Sequence, residues 1–149
     1  MYKRQKVLIT KLESNRCVVY TDRKIRKIYK GDTILASEKN WKTEYLEPKV
    51  SIKSVKDVYE AIRHINKYGT KHTDAIICRN KRTSDIFLKN VKSSITMHNT
   101  STQFADGGEF GFGAEVGIST NNLPPRGPVG LGQLVSYKYE VFGTGQIRK

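Results

Sequence analysis

The sequence predicts an α/β fold, a parallel sheet with βαβ crossovers, and three observations carry that prediction. Short β-branched or apolar runs recur at CVVY (17–20), KVSIK (49–53), DAIIC (74–78) and SITMHN (94–99). Between the last three lie segments whose apolar residues repeat at spacings of three and four, the mark of helices with one buried face. Strand, helix, strand, helix, strand in that order makes a pair of βαβ units, whose crossovers bring the strands parallel and cover the sheet with helices.

Taken in order, Val7, Leu8, Ile9 and Leu12 fit the last turns of a helix closed by Ser14 and Asn15. The first five residues, MYKRQ, equal the translation of GTG TAT AAG AGA CAG, the end of a transposase adapter, so residues 1–5 are expected to be a non-native leader. CVVY reads as a buried strand, and DRKIRKIYKGD as surface with a partial helical face at Ile25, Ile28 and Tyr29. After KVSIK, Ser54 and Asp57 form the capping box S-V-K-D, and Val55, Val58, Ile62 and Ile65 line one helical face. Gly69 is expected to end that helix in a left-handed conformation. DAIIC is apolar throughout, as in strands buried on both faces. Ser84 would cap a second helix that turns Ile86, Phe87 and Val91 inward, and SITMHN gives the next strand. LPPRGPVGLGQ is connection, and VSYKYEVFG alternates as an exposed or interface strand.

Composition narrows the function classes. Hydrophobic residues make up 37% and charged residues 28%, spread through periodic segments, which suits a folded domain. Lys and Arg number 27 against 14 acids, a net +13, yet the basic residues are scattered, without an Arg-rich arm or zinc-finger spacing. The charge therefore reads as surface composition and no nucleic-acid partner is expected. Apolar runs fall far short of the roughly 20 residues a membrane helix needs, so no membrane association and a cytoplasmic location are expected. Cys17 and Cys78 fit neither a metal spacing nor a disulfide framework and read as reduced, structural thiols.

Ligands in parallel sheets sit beyond the carboxyl ends of the strands, which directs attention to HNTSTQFADGGEFGFG after the last strand. Its glycines make neither a dinucleotide fingerprint, since Glu109 and Glu115 interleave them and no long helix follows, nor a Walker loop, since G-K-[ST] is missing. They mark close backbone approach or positive φ. The longer stretch NTSTQFADGGEFGFGAEVGISTNNLPPRGPVGL closely resembles the C-terminal signature of the γ-glutamyl phosphate reductase (glutamate-5-semialdehyde dehydrogenase) family, of the aldehyde dehydrogenase superfamily. WKTEYLEPKVSIK, HINKYGTKHTDAIIC and GQIRK resemble further stretches of that family.

The resemblance implies an incomplete aldehyde dehydrogenase-like catalytic domain over 6–130, with an oligomerisation strand and tail over 131–149. It implies NADPH as cofactor and reduction of L-glutamyl 5-phosphate to L-glutamate 5-semialdehyde and phosphate, in L-proline biosynthesis, through a cysteine thiolate that attacks the acyl phosphate. That cysteine belongs to a V-C-N-A-x-E-T-like context, which neither Cys17 nor Cys78 has, so the chain alone is expected to be inactive and to act within a homo-oligomer when full length. Glu44 matches the glutamate that holds the nicotinamide ribose hydroxyls, or is an exposed edge residue; Leu46 matches the residue beside the nicotinamide ring. Asn99, Ser101, Thr102 and Phe104 map to the substrate pocket, or cap a turn. Arg126 would pair with a phosphate or carboxylate, or bridge subunits. Gln103 stands where the family has Arg, Thr100 where it has Ala, and Pro124 and Pro125 replace His-Ala, which puts normal substrate affinity in question. The rival from another class is a non-catalytic basic binding module on the same scaffold.

Overall fold

A computed structural model of the 149-residue chain describes residues 2–148. Helix α1 (Tyr2–Ser14) leads into β1 (Val18–Thr21), α2 (Arg23–Ile28) and β2 (Thr33–Leu35). A 3-10 turn at Asn40–Lys42 precedes β3 (Lys49–Ile52), followed by α3 (Val58–Tyr68), β4 (Thr73–Ile76), α4 (Lys81–Asn90) and β5 (Ile95–His98). A second 3-10 turn at Thr102–Phe104, then β6 (Gly117–Ser119), β7 (Gly127–Val129) and a third 3-10 turn at Leu131–Gln133 complete the order. Of the expected leader, Met1 lies outside the described residues, and the chain from Tyr2 continues α1.

The α/β class with parallel pairing holds, but the strands divide. β2, β1 and β3 form one parallel sheet in that order, β4 and β5 a second parallel pair, and β6 and β7 an antiparallel one. The expected continuous sheet through β3, β4 and β5 is therefore not formed; β3 and β4 follow each other in sequence but do not pair. Each parallel sheet has its own core. Ile9, Val19, Ile25 and Tyr29 pack with Leu12, Val50 and Ile52, while Ile62, Phe87 and Val91 pack with Val58, Ile65 and Ile76 between α3, α4 and β4. Ile25 and Tyr29 thus belong to the interior, where a surface helix was expected; Ile28, on the other side of α2, remains exposed.

Caps differ from their sequence assignments for identifiable reasons. Ser54 does not cap α3, because its N–H and hydroxyl both donate to Asp22 Oδ2, at 2.8 and 2.7 Å. The helix begins one turn later, with Asp57 accepting from Glu60 N–H at 2.8 Å. Asn80, not Ser84, caps α4 by accepting from Thr83 N–H; Ser84 is buried inside the helix and donates to the Lys81 carbonyl. Gly69 has φ −69°, so it is not left-handed; a Cβ there would meet the Ile65 carbonyl oxygen at 2.8 Å. DAIIC is half-buried and Ile77 is 75% exposed, because β4 pairs on one edge only. Residues 135–142 form no strand in the single chain, where they pair with nothing.

Candidate active site

A cleft of about 600 Å³ is lined by Trp41, Lys42, Thr43 and Glu44, by Tyr68 to Thr70, by His72 to Asp74, and by Thr102, Ala105 and Thr120. Four separate segments meet there. Glu44 is presented by the 3-10 turn, which Asn40 fastens: its Oδ1 accepts from Ser37 N–H and hydroxyl, both at 2.7 Å, and its Nδ2 donates to Tyr45 Oη at 3.0 Å. Tyr45 stacks on Tyr20 of β1 and shares a 2.7 Å hydrogen bond with Ser51 of β3. The carboxylate of Glu44 is exposed to the cleft from a loop tied to the first sheet.

The opposite wall arises from a chain reversal. Asn99 adopts φ +55°, a left-handed conformation that asparagine tolerates because its short amide can bond locally. Its Oδ1 accepts from Cys78 N–H and its Nδ2 donates to the Cys78 carbonyl, both at 2.9 Å. The chain then runs back along β4, and the Thr102–Phe104 turn, capped by Ser101, packs against that strand. The cleft consequently opens beside the amino half of β4, not beyond the carboxyl ends of the strands as expected.

The glycine segment makes this return compact. Gly107 N–H donates to Glu115 Oε2 at 2.7 Å, and a Cβ at Gly107 would lie 2.9 Å from Glu115 Cβ. Gly111 and Gly113 take positive φ of 78° and 79°, the permissive role glycine alone fills at no cost. Val116 N–H to the Val129 carbonyl (2.8 Å) and Ser94 hydroxyl to the Ser119 carbonyl (2.7 Å) then join the segment to β7 and to the start of β5.

Of the sequence candidates, Glu44 and Thr102 come together in the cleft. Leu46, at φ +50° and 89% exposed, and Phe104, half exposed, stand outside its lining. Ser101 serves the turn, Asn99 serves Cys78, and Arg126 Nη2 donates to the Lys92 and Ser93 carbonyls at 2.7 and 3.3 Å. Trp41, Tyr68, His72, Asp74 and Thr120 line the cleft without having been singled out; HTDA lay inside a quoted stretch, but only the reversal at Asn99 makes it a wall. Asp74 Oδ2 accepts from Ser93 hydroxyl at 2.5 Å; burial raises its pKa, against the lowering influence of that bond and of His72. Neither thiol is in the cleft: Cys78 follows β4, and Cys17 lines a separate hollow with Glu13, Arg16 and Asp32. Among the described residues no helix is long and apolar enough to cross a membrane.

No protein-family model matches the chain. Curated relatives do. γ-Glutamyl phosphate reductase of Parvibaculum lavamentivorans is 56% identical over 113 residues, 76% of this chain and 27% of the relative. That of a Picosynechococcus species is 58% identical over 112 residues, 75% of this chain and 26% of the relative. The crystal structure of γ-glutamyl phosphate reductase from Thermotoga maritima superposes with a TM-score of 0.90 at 42% identity, covering 96% of this chain and 34% of that one. The chain thus spans about a quarter to a third of the length of the proteins it matches. By sequence and by fold, over the segment it spans, the chain belongs to the γ-glutamyl phosphate reductase family.

Proposed function

We propose that the cleft is part of the site where a complete reductase converts L-glutamyl 5-phosphate to L-glutamate 5-semialdehyde and phosphate with NADPH, a cytoplasmic step toward L-proline. The observation that carries this reading is the meeting of Glu44 and Thr102, from distant segments, across one cleft. Both sit in the two stretches whose residues most resemble the family.

The donor set fits a nicotinamide ribose. A carboxylate accepts from two vicinal hydroxyls, and Glu44 lines the cleft from a loop whose backbone is anchored beside it at Tyr45. NADPH, when bound, supplies the hydride. The Thr102 and Thr120 hydroxyls and the Asp74 carboxylate line the remaining walls and suit a polar, amino-acid-like substrate. Leu46, exposed beside Glu44, is the residue for the nicotinamide ring, and Phe104 for the substrate once the rest of the protein closes over them. Asn99 and Ser101 hold the substrate loop, and Arg126 fixes the chain below β5. Residues 6–130 act as a partial catalytic domain and 131–149 as a subunit-joining tail in a homo-oligomer. On this reading the nucleophile comes from a part of the reductase outside this chain, in keeping with the absence of both cysteines from the cleft lining.

The test is phosphate-dependent NADP⁺ reduction with glutamate 5-semialdehyde. The 149-residue chain alone is expected to give no turnover. In a complete reductase carrying this segment, Glu44→Gln is expected to lower kcat/KM about 10- to 100-fold with weakened NADPH binding in a fluorescence titration, by loss of about 1.4–2.7 kcal/mol. Full activity and unchanged NADPH affinity in Glu44→Gln would overturn the assignment.

A further inference from the structure

On the far side of Tyr68 from the cleft lies a smaller hollow of about 220 Å³, lined by Lys53, Glu60, Arg63, His64, Lys67 and Tyr68. Five of these residues come from α3, at spacings of three and four, so they form a single stripe on the helix. Lys53 approaches from just beyond β3 and closes the hollow from the other side.

The charges within it are unbalanced. The lining holds three cations against one carboxylate, and Glu60 already accepts from Lys56 N–H at 2.9 Å. Lys67 is engaged, at 3.1 Å from Glu38 and 2.6 Å from Tyr68 Oη. Among the described residues neither Lys53 nor Arg63 has a carboxylate within 4.0 Å. Lys53 is instead held 3.3 Å from His64 Nδ1 and 5.8 Å from the centre of the Trp41 ring. An ammonium can only donate, so His64 Nδ1 must accept and the imidazole is neutral, with its proton on Nε2. Burial pushes the His64 pKa down and Lys53 pushes it further; Glu38 pulls it back up in part, and the smaller effects of Lys67 and Glu60 oppose each other. The imidazole packs between the Trp41 ring, edge to face at 5.4 Å, and the tilted Tyr68 ring at 4.7 Å.

A cation packed against a base, beside a free guanidinium, is an arrangement that an anion would resolve. It would pair with Lys53 and Arg63 and allow His64 to take a proton and become a further donor. Donors converging from a strand end and from two turns of a helix suit a tetrahedral group with several oxygens better than a planar carboxylate.

We propose that this hollow, bounded by Lys53, Arg63, His64 and Lys67, is a binding site for a phosphate group, free or esterified, separate from the cleft. It does not depend on the cleft's assignment.

The experiment is a titration of the full 149-residue chain, followed by the His64 ring signals in NMR, with potassium phosphate at ionic strength held constant by sodium chloride. Saturable shifts are expected, with the His64 pKa rising by about one pH unit when phosphate is bound. Lys53→Gln and Arg63→Gln should each weaken binding at least tenfold, while Lys138→Gln, on the exposed tail, should leave it unchanged. Adenosine 2′-monophosphate is the second arm: binding of both ligands assigns the site to phosphate groups generally, and binding of inorganic phosphate alone assigns it to the free anion. Shifts that do not saturate, that sodium acetate reproduces equally, or that persist in Arg63→Gln would overturn the proposal. Should Lys53→Gln fail to fold, the exposed Arg63→Gln decides, its backbone spectrum away from α3 serving as the folding control.

Discussion

Asp22 spends both carboxylate oxygens on holding the first sheet to its helix. Oδ1 accepts from Ile25 N–H at 2.7 Å to cap α2, and Oδ2 takes the two Ser54 donors just beyond β3. Burial acts to raise its pKa, but the donors from Ile25, Ser54 and Lys24 outweigh it and hold the carboxyl below its ordinary 3.8. A depressed folded pKa gives stability that is complete above 3.8 and lost as pH falls through the folded value. Asp22→Ala is expected to cost about 1–3 kcal/mol in urea unfolding at pH 7. The difference from wild type should shrink as the pH is lowered past 3.8, and a difference constant with pH would refute the ionic role. Gly69 gives a second residue-scale test. Its extended φ makes the constraint one of space beneath the Ile65 carbonyl, so Gly69→Ala and Gly69→Asn should both cost about 1–2 kcal/mol. Asparagine would be tolerated only if the residue were left-handed.

At the scale of elements, the second core depends on α3 and α4 closing over β4. Phe87, 3% exposed, packs with Ile62 and Val91 at the centre of that layer. Phe87→Ala should cost about 3–5 kcal/mol, measured by chemical denaturation, because the ring's burial is lost and the two helices cannot fully close on the cavity. The faces of these helices were legible in the sequence because a 3.6-residue period is a local property, visible at Val58, Ile62 and Ile65 without knowing the fold. Their starting points were not. Ser54 and Ser84 are as good caps as Asp57 and Asn80, and the choice was made by a partner distant in sequence, Asp22, and by burial. β2, β6 and β7 have three residues each, β6 begins with Gly and β7 with Gly-Pro, and only their pairing defines them. The candidate site follows the same division. Glu44 and Thr102 were found through the motifs around them, whereas His72 and Asp74 became cleft residues through the left-handed turn at Asn99, which is a tertiary event.

For the molecule as a whole, the distribution of apolar surface sets the parts that fold together apart from a part that does not join them. Val135, Tyr137, Tyr139, Val141 and Phe142 are 68–91% exposed, and the polar pair Lys138–Glu140 bridges at 2.6 Å between them. The two tyrosine rings meet edge to face at 5.5 Å, so the segment contacts itself and not the core. Such a run of apolar side chains, alternating with charged ones, is the surface that the proposed subunit-joining tail would offer to another chain. Two consequences can be separated by truncation after Leu134, which spares the turn in which Gln133 accepts from Gly130 N–H. Because no core residue among the described residues lies beyond that point, the unfolding free energy from urea titration should change by less than about 0.5 kcal/mol. Self-association, followed by sedimentation across a range of concentrations, should meanwhile fall or disappear. A loss of stability beyond 1 kcal/mol on truncation, on the order of a buried-side-chain effect, would mean that the tail packs on the core after all. Undiminished association would move the sticky surface elsewhere, to Val7 and Leu8 on α1 or to the β2 edge at Ile34 and Leu35, which are among the other large exposed apolar groups around the first sheet.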